Sequence, residues 1–177
     1  MSKRGRRRSW HGPTAIVTLR SSVISPLPNW KRSGRVCYPK RVPERDLATL
    51  LITMKPALDP REWVFCCVDR SFPIDDARAL LMFRETEGIT IVVERHVAEE
   101  HDLEYTFLAR RITLRVESDL ASVGFTAAVT AALAKHTIAA NVVSGFYHDH
   151  LFVPLDRAEE ALRVLEELSA QSARRVL

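Results

Sequence analysis

The feature that most constrains the fold is the regular succession of apolar runs and turns in residues 111–155. A β-prone run is followed by a turn that contains Gly124, and then by a stretch with helical apolar spacing, residues 123–136. Two further β-prone runs, 139–147 and 151–155, flank a short polar turn. Because a 3.6-residue apolar period indicates a helix and short β-prone runs between turns indicate strands, the stretch predicts strand, helix, strand, strand.

The residues that follow extend this pattern. Residues 157–169 place alanines and leucines on one helical face and glutamates on the other, which predicts an amphipathic helix. Residues 111–169 therefore predict a split β-α-β unit of the ferredoxin-like kind that lacks its closing strand.

The preceding part of the chain predicts a looser version of the same unit. It has a helix capped by Asp46, a buried central strand, a hairpin, a short helix and a long linking strand, at residues 47–54, 62–68, 79–94, 96–101 and 105–117. Two such units, with antiparallel strands and helices on one face, make an α+β protein.

Charge and proline content separate an N-terminal arm from the rest. Residues 1–41 hold 11 of the 26 lysines and arginines and no acid, which leaves 15 bases against 22 acids in residues 42–177, a net of −7. The folded part is therefore mildly acidic, and the basic overall charge is no reason to expect it to bind nucleic acid. Five of the nine prolines lie in residues 1–45, so we expect a disordered arm there.

The expected domain boundaries follow. They are an arm at 1–45, a first module at 46–109, a second module at 110–170 and a tail at 171–177. Three origins of the arm stay open: a translated upstream stretch from a misplaced start codon, which we favour, a nucleic-acid-binding arm, or an organelle transit peptide.

The three cysteines, Cys37, Cys66 and Cys67, form neither a disulfide framework nor a metal-ligand spacing. Neighbouring strand residues point to opposite faces, so Cys66 and Cys67 are poorly placed to bridge each other. We expect both to be small core residues in a reducing cytoplasm. No apolar run approaches the ~20 residues that a membrane-spanning helix needs, so no membrane partner is expected.

The polar turn at residues 118–126 is the first candidate binding site. A strand that enters a helix through a Gly-containing turn exposes backbone N–H groups at a helix N-terminus, which favours a carboxylate or a phosphate. Ser122 is the expected N-cap, and Gly124 would let a ligand approach the backbone closely. The alternative is that the serines only cap the helix and that Gly124 only permits tight packing.

Asp149 lies in the second polar turn and could pair with the amino group of an amino acid whose carboxylate sits at the first turn. The alternative is a hairpin turn in which Asp149 bonds to its own backbone. His148 and His150 share a strand face and could reach one cation, but no third ligand occurs at a fixed spacing. We therefore predict no metal, no cofactor and no catalytic residue.

Six segments are distinctive when taken together: Trp63–Cys66, Phe83–Glu85 with Glu87-Gly88, Ile112–Leu114, Val123–Ala128, Asn141–Val143 and Tyr147–Val153. Jointly they resemble a family of small bacterial tandem ACT-domain proteins, over roughly residues 46–169. The resemblance implies two ferredoxin-like ACT modules of the βαββαβ type and a role in amino-acid sensing.

The second half is also distantly similar to the cytosolic arginine sensors of animal cells. In those sensors a Gly-containing loop after the first strand and an Asp between the next two strands hold the amino acid. The similarity implies Gly124, with Thr126 nearby, and Asp149 as the corresponding residues here. The sensors lack His148 and His150, so arginine specificity is not implied.

We therefore predict a non-catalytic regulatory or sensor protein that binds a small molecule, with an amino acid as the expected ligand. The expected ligand-binding residues are Ser122, Val123, Gly124, Phe125, Thr126, Asn141, His148 and Asp149. A regulated protein is one expected partner. A second copy of the chain is another, through the sheet edges or the helical face, because an incomplete unit leaves an open sheet edge. The alternative is a nucleic-acid-binding protein that uses residues 1–41, although the RNA-recognition signature is absent.

Overall fold

The computed structural model describes residues 42–73 and 78–175 of the 177-residue chain. In chain order its elements are α1 (Leu47–Thr53), β1 (Pro56–Val68), β2 (Ala79–Arg84), β3 (Ile89–Glu94), α2 (Arg95–Glu100), β4 (Tyr105–Leu114), α3 (Phe125–Lys135), β5 (Asn141–Ser144), β6 (Asp149–Pro154), a 3-10 turn (Leu155–Arg157) and α4 (Ala158–Arg174). These elements follow the predicted order, and the largest shift is the start of β1, six residues earlier than predicted.

The six strands form one antiparallel sheet in the order β2-β3-β1-β4-β6-β5. The two longest strands, β1 and β4, lie at its centre, which confirms the predicted fold class. β1 begins at Pro56, although proline is disfavoured within strands. Its register against β4 shifts between Leu58 and Glu62, and Pro60 lies in this irregular stretch, where a missing N–H breaks no ladder hydrogen bond.

Each central strand serves both halves of the sheet. Residues Pro56–Leu58 of β1 pair with Ile112–Leu114 of β4, whereas Trp63–Val68 of β1 pair with β3. β1 therefore supplies the closing strand that residues 111–169 lack. The first module, as we use the term, consists of β1, β2, β3, α2 and the first half of β4. The second module consists of the rest of β4, α3, β5, β6 and α4, together with the start of β1, which belongs to both modules.

The sharing of strands corrects one expectation. The edge that the second module was expected to leave open is filled by β1, and the edges of the sheet are β2 and β5. The reason given for dimerisation therefore does not hold for this edge.

The helices pack on one side of the sheet. Leu108, Ile112 and Leu114 lie on the same face of β4. They contribute to two hydrophobic cores on that side of the sheet. One core lies between β4, β6 and helices α1, α3 and α4, and the other lies between β1, β3 and α2. α1 precedes the first module in sequence, yet its Leu50 is fully buried in the core of the second.

The opposite side of the sheet carries a smaller aromatic cluster built from Trp63, Val92, Ala109 and Phe152. Phe65 meets Phe152 edge-on, with ring centroids 5.3 Å apart. The guanidinium groups of Arg61 and Arg111 lie 4.9 and 5.4 Å from the centroid of Trp63, which allows cation–π attraction to both.

Asp59 links the two central strands beside this cluster. Its carboxylate pairs with Arg61 at 2.8 Å and with Arg111 at 2.6 Å, and its carbonyl accepts a hydrogen bond from Arg110 Nε at 2.9 Å. Burial acts to raise the pKa of Asp59, but the hydrogen bonds from Arg61 and the positive charges of Arg111 and Arg61 outweigh it and lower the pKa to about 2.

The adjacent cysteines have different surroundings. Cys66 is buried, which raises the pKa of its thiol, whereas Cys67 is exposed. The expectation that both are core residues is wrong for Cys67, because neighbouring strand residues face opposite ways.

Within the described residues, no helix has the length and apolar character required to cross a membrane.

Candidate ligand-binding site

The turn after β4 places Gly124 at the start of α3. Gly124 is the N-cap residue and has a φ of +92°, a left-handed conformation that glycine adopts without steric cost. A Cβ at this position would lie 3.1 Å from Leu47 Cδ2, so the turn packs against α1. The prediction that Ser122 caps α3 is wrong. No side chain among the described residues caps this helix, and Ser122 N donates to Asp119 O at 2.8 Å in the preceding turn.

The first backbone N–H groups of α3 are available to a ligand. The first N–H groups of a helix have no intrahelical partner, and those of Phe125, Thr126 and Ala127 have no acceptor in the described part of the chain. Phe125 is buried, so it offers only its backbone, whereas Thr126 is exposed and can also offer its hydroxyl. The helix dipole makes such a terminus favourable for an anion.

Asp149 lies at the same end of the sheet and is 7% exposed. It is the first residue of β6 and pairs in register with Leu114 and Ser144. Its carboxylate accepts hydrogen bonds from Ser118 Oγ at 3.1 Å and from Ser144 Oγ at 2.5 Å. The two serine hydroxyls therefore hold the carboxylate, and the alternative of Asp149 bonded to its own backbone is not what the structure has. A carboxylate has about four acceptor positions, so two hydroxyl donors leave capacity for an ammonium group.

The first polar turn is in contact with the N-terminal segment Glu44–Leu47. Glu44 N donates to Glu117 O and Asp119 N donates to Glu44 O, both at 2.9 Å, and Glu44 and Ser118 form a parallel bridge. Arg45 Nε pairs with Asp119 at 2.7 Å. Glu44 and Arg45 therefore contact the turn that follows β4, although both precede the predicted boundary at residue 46. Residues 1–41 lie outside the described residues.

The two histidines have separate partners, and only His148 lies in the turn, because β6 begins at Asp149 and includes His150. His148 Nδ1 lies 3.2 Å from Val116 O, and His150 Nδ1 lies 3.0 Å from Thr113 Oγ1. Burial lowers the pKa of His150, and the nearby charges of Arg111 and His148 lower it further. Within residues 42–73 and 78–175, no group of three or more His, Cys, Asp and Glu side chains could hold a metal ion.

The structure brings most of the predicted site residues to one end of the sheet. Gly124, Phe125 and Thr126 provide the helix terminus, Asp149 provides the carboxylate, and Ser118 joins the two polar turns. Ser122 and Val123 lie in the turn itself, with Val123 84% exposed. Asn141 pairs with Phe152 at the far end of β5, about 10 Å along the strand from Ser144 at ~3.4 Å per residue. The structure therefore does not place Asn141 beside Asp149.

Sequence reasoning missed two parts of the site. Ser144 was missed because the predicted turn lies at residues 148–150, whereas the structure has a four-residue turn at 145–148, which places Ser144 opposite Asp149. The contact of Glu44–Leu47 with the turn at Ser118–Gly124 has no local signal, since about 75 residues separate the two segments in sequence.

Two family models cover the described fold. Residues 42–110 and residues 109–167 each match a model for the ACT domain. The two matches overlap on β4, which is one of the two strands that both modules share.

Solved structures with similar folds include the Vibrio cholerae protein VC0802, a protein of unknown function. It is 41% identical, with a TM-score of 0.62, and the match covers 70% of this chain and 95% of that one. Agrobacterium tumefaciens protein Atu0741 is 18% identical with a TM-score of 0.54, covering 66% and 89% of the two chains. Clostridium acetobutylicum aspartate kinase, an allosteric enzyme, is 10% identical with a TM-score of 0.51, covering 66% of this chain and 34% of its own. The last two similarities concern the fold alone. No curated protein matches the chain.

Proposed function

This chain belongs to the ACT-domain family, with two ACT domains in tandem, and on that premise we propose that it is a regulatory protein that binds a free amino acid. ACT domains are typically regulatory ligand-binding domains. The proposed site is the end of the second module where α3 begins and where Asp149 lies.

The observation that carries this proposal is that groups suited to an anion and a group suited to a cation lie at the same end of the second module. The N–H groups of Phe125, Thr126 and Ala127 suit a carboxylate. The Asp149 carboxylate, oriented by Ser118 and Ser144, suits an ammonium group. An α-amino acid carries both groups on one carbon, so it matches this arrangement better than a simple anion or cation does.

The hydrogen bonds at the site favour binding over catalysis. Ser118 and Ser144 donate to Asp149, while His148 and His150 face Val116 and Thr113. A serine nucleophile is activated by a histidine that accepts its proton. In these contacts neither serine is paired with a histidine. We therefore assign the protein a non-catalytic role.

The contact with Glu44–Leu47 offers a way for binding to be transmitted. A ligand that engages the turn at residues 118–124 would act on the backbone bonds between Glu44 and Asp119 and on the packing of Leu47 against Gly124. We propose that this segment reports the bound state to a protein partner. A cytoplasmic location fits the two adjacent unpaired cysteines, and the sheet edges β2 and β5 are where a second copy would pair.

A thermal-shift screen of the full chain against the free amino acids tests the proposal. At least one amino acid should raise the melting temperature in a concentration-dependent way, because a ligand that binds only the folded state stabilises it. Asp149→Asn removes the charge and should weaken that binding about tenfold or more. Asp102→Asn is the matched control, since Asp102 is exposed and lies in the first module, and it should bind as the wild type does. The absence of any shift at millimolar amino acid would contradict the proposal.

The basic composition of residues 1–41 is the reason to keep a second candidate, nucleic-acid binding through the arm. It requires that the full chain binds nucleic acid and that a chain beginning at residue 42 does not. Equal binding by the two chains would eliminate it.

A further inference from the structure

The outer face of the sheet, which is the side opposite the helices, is apolar in the first module. On β1, Trp63, Phe65 and Cys67 alternate with core residues and therefore point to this face. Phe83 of β2 pairs with Thr90 of β3, which also pairs with Cys67, so Phe83 lies on the same face. Phe83 is 62% exposed, Cys67 is exposed and Phe65 is half-buried. A strand with apolar side chains on both faces is typical of a sheet that is covered on both sides.

The outer face of the second module has a different character. Arg111 and Thr113 of β4 point to it, because the residues that alternate with them lie in the core. Arg111 pairs with Asp59, and Thr113 Oγ1 lies 3.0 Å from His150 Nδ1. Polar side chains that pair with one another are suited to contact with water. The apolar surface therefore belongs to the first module.

A β-bulge in β4 adds an aromatic ring to this apolar surface. Thr106 pairs with Phe65 and Ala109 pairs with Trp63, so two residues of β4 lie opposite one residue of β1. One of the two, Phe107, has a φ of +57°, a left-handed conformation that is strained for a bulky residue. Its ring meets Phe65 edge-on, with centroids 6.0 Å apart. The strained backbone therefore turns a phenyl ring to the outer face.

The rim of the apolar surface carries charges of both signs. The Glu85 carboxylate accepts a hydrogen bond from the hydroxyl of Thr90, and Arg70 Nη2 donates to the carbonyl of Glu85 at 3.0 Å. Arg84 ends β2 and is exposed, and Glu104 lines an open cleft beside the apolar side chains. A two-fold axis can bring an arginine of one copy to a glutamate of the other, so an apolar centre with such a rim can be complementary to itself.

We propose that a second copy of this chain covers the outer face of the first module, in a two-fold symmetric contact around Phe65, Thr106 and Phe107. The apolar side chains exclude water at the centre, and the rim charges pair across the axis. The contact uses the middle strands β1 and β4, which distinguishes it from pairing through the edge strands β2 and β5. It does not depend on amino-acid binding by the second module.

The first test is the mass of the full chain in analytical ultracentrifugation over a range of micromolar concentrations. We expect the wild type to form a dimer as its concentration rises. Thr106→Glu brings a like charge from each copy to the axis and should weaken the dimer at least about tenfold. Thr106 is exposed and lies on a middle strand, so this change affects neither the core nor an edge. The matched control Ala131→Glu, at an exposed position of α3, should form dimers as the wild type does.

The second test uses Cys67 as a reporter of the covered face. In a Cys37→Ser chain, a maleimide reacts with the exposed Cys67 much faster than with the buried Cys66. The reaction at Cys67 should slow as the protein concentration rises. In Cys37→Ser with Thr106→Glu it should stay fast over the concentrations at which the parent chain forms dimers.

Three results would overturn the proposal. One is a wild-type chain that stays monomeric at all concentrations. Another is a dimer that both Thr106→Glu and Cys67→Glu leave intact, which would place the contact at the edges or on the helices. The third is a monomer in which Cys67 reacts slowly at every concentration, which would show that residues of the same chain cover the face.

Discussion

The two modules use the same hairpin for different purposes. In the first module the turn between β2 and β3 is closed by a bond from Glu85 N to Gly88 O at 2.9 Å, and in the second the turn between β5 and β6 is closed by Gly145 N to His148 O at 3.0 Å. The next residue begins a strand in both cases. It is Ile89, 2% exposed, in the first module and Asp149, 7% exposed, in the second.

This difference shows that the same backbone frame holds a core residue in one module and a buried carboxylate in the other. Ile89 contributes to the apolar core, whereas Asp149 is buried at similar depth only because Ser118 and Ser144 donate to its carboxylate. Burying a charge without such donors is costly. The same backbone position therefore carries an apolar core side chain in one module and a hydrogen-bonded carboxylate in the other.

The largest expected effect comes from two single substitutions that give each position the residue of the other module. Ile89→Asp places a carboxylate at a buried position packed among apolar side chains, and should destabilise the fold by about 3–5 kcal/mol. Asp149→Ile only leaves two hydroxyls without their acceptor and should cost no more than about 2 kcal/mol. Urea denaturation of both variants measures the difference. Equal losses would show that the two positions are equivalent and would break the comparison.

Asp59 tests whether the two modules are one cooperative unit, because it lies on β1 and pairs with Arg111 on β4. Asp59→Asn should lower the free energy of unfolding by about 2 kcal/mol, since Arg111 loses its charged partner and Arg61 keeps only its pair with Glu94. Both modules should still unfold in a single transition. Separate transitions would mean that the shared strands do not couple them.

The same carboxylate predicts a pH dependence. The pKa of Asp59 in the folded protein is about 2, below its value of ~3.9 in an unfolded chain. The stability that it contributes is therefore fully present above about pH 4 and is lost as the pH falls from about 4 towards 2. Acid denaturation of the wild type and of Asp59→Asn should converge over this window. A constant difference between them would contradict the assigned pairing.

The smallest expected effect concerns Gly124, for which the first module has no counterpart among its described residues. Gly124→Ala puts a side chain into a left-handed conformation and towards Leu47, and should cost about 1–2 kcal/mol. Gly124→Asn should cost less, because asparagine tolerates this conformation better than alanine does. Thermal unfolding compares the two. An alanine variant as stable as the wild type would mean that the turn relaxes to another conformation.

The sequence predicts the local elements of this fold well and their long-range partners poorly. The apolar periods of α3 and α4 and the hairpin at residues 79–94 are local signals, and each element is found where the pattern places it. The pairing of Pro56–Leu58 with Ile112–Leu114 is not local, and two prolines conceal the start of β1. For this reason the second module looked incomplete in the sequence.

In the candidate site, too, some residues can be recognised from the sequence and others only from their long-range contacts. Gly124 and Asp149 stand out by residue type at turn positions, so sequence reasoning singles them out. The roles of Ser118 and Ser144 depend on strand register, and the contact of Glu44 with Asp119 depends on the packing of α1. Serine is common in turns, so neither role could be assigned before the register was known.

The central claim is that one ligand joins the start of α3 to Asp149. The most direct measurement follows the backbone amide signals of Phe125, Thr126, Ala127 and Asp149 by NMR while the amino acid found in the thermal-shift screen is added to the full chain. We expect all four signals to shift together with one dissociation constant, and Asp149→Ile to abolish the shifts in α3 as well as its own. Shifts confined to the first module, or α3 shifts that survive in Asp149→Ile, would contradict the claim.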